Sequence, residues 1–261
     1  MKARDLHLLV QKVGKWVNLD WTVDGFLAGN SEDEVKGIAV SWMPTFRNLE
    51  KAREASCSLF VTHEPLYACE ADAARLISPD DAWVKKKRWL EETGMTVYRC
   101  HDFWDDYPDV GIHGAWAKWL GFDGKPLVQR RFFEVHSVEG LNLGELATAV
   151  LEKVKPLGQE SVHVVGDLEK KVSKMALGTG ANTNYRQMFD IGADVLLLTD
   201  DGTRLWESGQ WALDMGVSLI IVNHSTSEEP GMMTLTNYVR SGFPGVPVRH
   251  VPTGCLYRTM K

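Results

Sequence analysis

Three of the eight histidines fall one or two residues beyond short apolar runs, each with a carboxylate beside it or four residues on. They are His63 in His63-Glu64-Pro65, His101 followed by Asp102 and Asp105, and His224 followed by Glu228. A single histidine at a strand end is more often a hydrogen-bonded structural residue than a ligand. Three of them, each with a carboxylate, point to a metal site, because such a site gathers neutral imidazoles and carboxylates from separate loops. These three histidines and a carboxylate from each loop, six groups, exceed what one tetrahedral ion takes. They suit two divalent ions about 3.5–4 Å apart, bridged by a carboxylate or hydroxide, as in hydrolytic two-metal sites. Pro65 biases Glu64 toward extended backbone, so the side chains at 63 and 64 diverge and each can serve one ion. If His224 opens a helix, Glu228 shares its face by the i, i+4 spacing.

Positioning these groups requires strands whose carboxyl ends converge, which is what a parallel sheet supplies. Apolar, β-branched runs alternate with helical patterns along the whole chain, the signature of an α/β fold. Residues 37–42 (GIAVSW), 58–62 (SLFVT) and 95–100 (MTVYRC) read as strands, with helices over 46–55 and 81–93 between them and Gly94 as a helix stop. The strands are apolar on both faces, as a parallel sheet covered by helices demands. A helix over 112–120 closes at Gly121, and the turn FDGKP follows. The second half reads as strands at 132–135, 161–165, 174–177, 194–199 and 218–222, with helices over 143–155, from about 184, and over 206–215. The expectation is therefore two α/β lobes with mostly parallel sheets: residues 1–123 and 124–261, with the strand 246–251 open to either lobe.

Composition narrows the partners. The chain has 261 residues with a net charge of −6 and no block of like charge, which argues against a nucleic-acid or anionic-membrane surface. No apolar stretch approaches the roughly 20 residues a bilayer span needs. The start, MKARDLHLLVQKVGKW, carries charges within an i, i+3/i+4 apolar pattern and reads as an amphipathic helix, not a signal peptide. Cys57, Cys69, Cys100 and Cys255 lack CxxC spacing and read as buried reduced thiols of a cytoplasmic protein.

Other residues are candidates for substrate contact. Gly178 and Gly180, in a turn between a strand and a helix, have backbone amides that can cradle a phosphate, although the segment lacks a full GxGxxG or a P-loop lysine. Trp104, between two expected ligands, is placed to stack a ring, with core packing the better reading for it and for Trp42. His113 reads as a cap or surface residue, and Thr199-Asp200-Asp201-Gly202 as a turn. No Gly-x-Ser-x-Gly elbow appears, so serine hydrolase chemistry has little support.

The motifs VTHEP at 61–65, HDFWD at 101–105 and NHSTSEEPG at 223–231, in that order, resemble the Nif-three-like family, often labelled GTP cyclohydrolase I type 2 homologue. The resemblance covers most of the chain, from DWTVDGFLAGN at 20–30 onward, and its motifs are specific jointly, not singly. By that resemblance His63, His101, Asp105, His224 and Glu228 match metal-ligand positions. It implies two α/β lobes, a dinuclear centre in the cleft between them, and homo-oligomers, namely toroidal hexamers. It does not imply one settled reaction; cyclohydrolase chemistry is a candidate. Glu64 departs from the pattern, standing where the family has a second histidine, and Asn223 stands where it has glycine. Two divalent ions carry +4, and Glu64, Asp105 and Glu228 together supply −3 where the usual pattern supplies −2. The extra hard oxygen donor favours Mn²⁺, Fe²⁺ or Mg²⁺ over Zn²⁺, with Zn²⁺ still able to bind. A less positive centre also lowers the pKa of bound water less.

These readings converge on a metal-dependent hydrolase acting on a small nucleotide-like or cyclic substrate through a metal-bound hydroxide, with Glu228 or Asp105 bridging the ions. The alternative is a metal-binding regulatory or metal-handling protein without turnover.

Overall fold

The computed structural model describes residues 1–67 and 82–260; Cys69 and the expected helix start at Asp81 lie outside the described residues. The chain forms two compact units, one of Met1–Tyr107 with Met232–Thr253, the other of Pro108–Gly231 with Gly254–Lys261.

The first unit begins with α1 (Ala3–Gln11), which buries Ala3, Leu6 and Val10 at helical spacing. Strands β1 (Gly25–Ala28) and β2 (Ile38–Ser41), helix α2 (Phe46–Glu54), β3 (Leu59–Thr62), α3 (Ala82–Thr93), β4 (Thr96–Arg99) and the single turn α4 (Asp102–Asp105) follow. All four residues of β2 and of β3 are buried, because helices leave a parallel sheet no wet face. Thr45 caps α2 by accepting the Asn48 N–H at 3.2 Å. Ala39, Leu49, Phe60, Leu90 and Val97 are central to this unit's core.

The second unit contains α5 (Ile112–Leu120), β5 (Val128–Gln129), β6 (Phe133–Ser137), α6 (Leu143–Val154), β7 (His163–Val165), β8 (Lys174–Gly178), α7 (Tyr185–Asp190), β9 (Val195–Thr199), α8 (Leu205–Met215) and β10 (Ser218–Val222). Helix α6 starts with a capping box in which Asn142 and Glu145 satisfy each other's backbone N–H. Helix α5, which precedes the FDGKP turn, packs within this unit. Gly231 permits this, since a Cβ there would lie 2.5 Å from Ile112 Cδ1 and 2.8 Å from Ile112 Cα. Strands β9 and β10 are buried throughout.

Helix α9 (His224–Gly242) follows β10, and β11 (Val248–His250) ends the series. Pro230 withdraws one donor from the ladder of α9, close to where the chain passes from the second unit back to the first. The first sheet has the order β1-β4-β3-β2-β11, parallel except at the β1–β4 edge. The segment expected to join either lobe thus pairs with β2. The second sheet, β5-β6-β8-β9-β10-β7, has parallel pairs at its centre and antiparallel pairs outside them. Both arrangements are α/β. Among the described residues no helix is long and apolar enough to cross a membrane.

Candidate metal centre

The first unit carries His63, Glu64, His101 and Asp105; the second carries His224 and Glu228. Each group is built separately.

In the first unit, the turn after β3 is pinned to the end of β2. The His63 and Glu64 N–H groups both donate to Trp42 O, at 3.2 and 2.9 Å. His63 is buried, and its Nδ1 lies 3.1 Å from Cys100 O. A carbonyl only accepts, so Nδ1 carries the proton and Nε2 presents a lone pair. That Nε2 lies 3.4 Å from Asp105 Oδ1. The His101 ring stacks on His63 with centroids 4.3 Å apart and planes 13° apart. His101 Nδ1 lies 2.9 Å from Asp102 Oδ1 and 3.3 Å from Asp105 Oδ2. Asp105 therefore turns one oxygen toward each imidazole.

Two acidic residues outside the expected ligand set hold this loop. Asp24 accepts the His101 N–H and, at 3.1 Å, the Phe103 N–H. Asp102 accepts the Val23 N–H at 3.2 Å and lies 2.9 Å from the Thr22 hydroxyl. Burial raises the Asp24 carboxyl above its ordinary range, while the hydrogen bond from His101 lowers Asp102 to about 2. Glu64 has Arg99 Nη2 at 4.0 Å, and Arg99 Nε donates to His63 O at 3.0 Å. The donor atoms of His63, Glu64 and His101 lie within 4.8 Å of one another, as do those of His101, Asp102 and Asp105. Nitrogen and oxygen donors without thiolate fit a hard or borderline divalent ion.

In the second unit, His224 and Glu228 occupy the first turns of α9 with His224 Nε2 3.1 Å from Glu228 Oε1, the contact the i, i+4 spacing predicts. The loop after β9 supports them. Asp200 accepts the His224 N–H at 2.9 Å and the Asn223 amide at 2.7 Å, and Asp201 Oδ2 lies 2.9 Å from His224 Nδ1. That hydrogen bond lowers the Asp201 carboxyl below its ordinary value. The segment 199–202, read from sequence as a turn, thus also touches a candidate ligand.

The glycines serve close packing. A Cβ on Gly180, whose φ is +64°, would sit 2.7 Å from Glu228 Oε1 and 3.1 Å from His224 Nε2; one on Gly178 would sit 2.8 Å from Phe132 O. Trp104 is fully buried against Tyr107 and Tyr238, and Trp42 is buried too. His113 Nδ1 contacts the Thr179 hydroxyl at 2.9 Å. Sequence reasoning assigned no role to Asp24, Asp102, Asp200 or Asp201 as supports. Asp102, Asp200 and Asp201 follow strand ends legible in the sequence, which was their one signal; Asp24 had none.

The family model Duf34/NIF3 (NGG1p interacting factor 3) matches residues 1–253. The chain belongs to the Duf34/NIF3 family. The fold also matches solved structures. A Staphylococcus aureus hypothetical protein, SA1388, is 19% identical with a TM-score of 0.80, covering 100% of this chain and 99% of its own. A Bacillus cereus protein related to NIF3 is 12% identical with a TM-score of 0.79, covering 100% and 98%. Reduced HcgD from Methanocaldococcus jannaschii is 20% identical with a TM-score of 0.73, covering 96% and 98%. At these identities the likeness speaks to fold alone. No curated protein matches the chain. Duf34/NIF3 membership agrees with the resemblance drawn from the three motifs.

Proposed function

We propose that this Duf34/NIF3 chain binds two divalent ions through His63, Glu64, His101, Asp105, His224 and Glu228, and that it is a hydrolase of a small nucleotide-like or cyclic substrate. The observation that carries the metal reading is the His63–His101–Asp105 arrangement. His63 has its Nδ1 committed to a backbone carbonyl, the two rings stack face to face, and one carboxylate addresses both. The Cys100 carbonyl at His63 Nδ1 and Asp102 at His101 Nδ1 are the kind of neighbours outside the coordination shell that orient metal-binding histidines.

Bound divalent ions would supply Lewis acidity and an activated water. The chain's own residues do the rest. Asp105, with its two oxygens turned to different imidazoles, is suited to bridge, and Glu228 is the corresponding carboxylate on α9. The networks around Asp24, Asp102 and Asp200 fix the ligand loops before binding. The hexamer implied by the family resemblance and a cytoplasmic location belong to this proposal.

The test is metal content of protein purified without chelator or added metal, followed by a panel of nucleotides and cyclic amides with the metal found, and light scattering for the assembly. Two ions per chain and turnover on the panel are expected. Two ions without turnover would favour the metal-handling alternative, and failure to bind any divalent ion on titration would refute the metal reading.

A further inference from the structure

Asp201 has a side chain 63% exposed, yet it is not placed at random. The parallel register pairs Thr199 with Val222, and the Asp200 N–H continues that ladder by donating to Val222 O at 3.0 Å. Residues 200 and 201 are thereby delivered beside 223 and 224. Behind them the Thr199 hydroxyl donates to Gly180 O at 2.6 Å and accepts the Gly202 N–H at 3.0 Å. Glycine at 202 is required, since a Cβ there would lie 1.9 Å from the Thr183 hydroxyl oxygen and 2.8 Å from Gly180 O. Asp200 clamps the backbone of His224 while Asp201 reaches its ring.

The ring of His224 has a carboxylate at each nitrogen: Asp201 Oδ2 at Nδ1 and Glu228 Oε1 at Nε2. A neutral imidazole has one proton to give. With that proton on Nδ1, the Nε2 lone pair and Glu228 Oε1 face each other 3.1 Å apart, two acceptors whose mutual repulsion a cation relieves. With the proton on Nε2, the ring is blocked as a ligand. We propose that Asp201 is a positioning residue that holds the His224 proton on Nδ1 and so presents Nε2 beside Glu228 as a metal donor. The assignment rests on the proposed metal centre but makes a claim about the ring that holds without metal.

The experiment is long-range ¹H–¹⁵N NMR on histidine-labelled, chelator-treated protein at a pH where the ring is neutral, with His224→Ala for assignment. Relative to wild type, Asp201→Ala is expected to move the His224 tautomer from Nδ1–H toward Nε2–H, and Asp201→Glu to restore it. On zinc titration, Asp201→Ala should weaken the site containing His224 by about 10–100-fold, the usual effect of losing such a support, with Asp201→Glu near wild type. A wild-type proton already on Nε2, or an unchanged tautomer in Asp201→Ala, would overturn the proposal. If wild type takes up none of zinc, manganese, iron(II) or magnesium but the tautomer shifts as expected, the metal reading fails and the positioning role stands.

Discussion

Gly180→Ala puts the geometry around Glu228 under direct load. The φ of +64° costs a non-glycine residue about 1–2 kcal/mol. The added methyl would also begin 2.7 Å from Glu228 Oε1, where carbon contacts prefer about 3.5–4.0 Å. The carboxylate must therefore withdraw by roughly 0.8 Å, several times the ±0.2 Å that metal–ligand distances tolerate. Gly216→Ala is the matched control, because Gly216 has a φ of +65° with nothing within 4 Å of its Cβ position. Both variants should lose about 1–2 kcal/mol, seen as roughly 2–8 °C in Tm at 2–4 °C per kcal/mol. Only Gly180→Ala should also lose metal affinity, by at least tenfold or about 1.4 kcal/mol. Thermal melts of the metal-free proteins and competition with a calibrated chelator measure the two effects. If Gly180→Ala keeps wild-type metal affinity, Glu228 is not held as a ligand and the reasoning fails.

Two further outcomes are expected. Glu64→His should shift competition between Zn²⁺ and Mn²⁺ toward Zn²⁺, and Glu64→Ala should weaken one metal position more than the other; unchanged stoichiometry and an unchanged ratio in both, by titration of each ion, would mean that Glu64 is not a ligand. For His7, burial lowers the folded pKa below 6.5 despite the opposing pull of Asp24, so the folded state binds fewer protons than the unfolded one. Its contribution is present above about pH 6.5 and is lost as pH falls through the folded value. His7→Gln, which can keep the contact that His7 Nδ1 makes to the Tyr98 hydroxyl at 2.8 Å, should flatten the loss of stability below pH 6.5 in urea melts, and identical slopes would refute this.

The elements that an apolar run of four or five residues specifies were legible in sequence. Residues 37–42, 58–62, 95–100, 194–199 and 218–222 contain β2, β3, β4, β9 and β10, all mostly or wholly buried. The two-residue β5 was missed, and so was β1. Its residues are only half-buried, it opens at a glycine with φ +151°, and its register slips between Phe26 and Ala28, so neither alternation nor a continuous apolar run marks it. The sheet that receives β11 was equally hidden, because its parallel partner β2 is some 200 residues away in sequence and nothing local encodes that pairing.

The histidines were legible for a reason the supporting carboxylates lack. A parallel strand advertises its own carboxyl end, so His63, His101 and His224 could be picked out by what precedes them. Asp24 precedes an edge strand with no such signal, and Asp201 sits in an Asp-Asp-Gly run whose residue types are those of any tight turn. The turn reading of 199–202 and the contact with His224 are compatible. Gly202 makes the bend that the Thr183 hydroxyl leaves room for, and the bend aims Asp201 at a ring. What separates an ordinary turn from one that orients a ligand is the neighbour the register supplies. Once β9 and β10 are adjacent with Thr199 beside Val222, the residue after each strand is brought next to the other. Composition alone carries no trace of that adjacency.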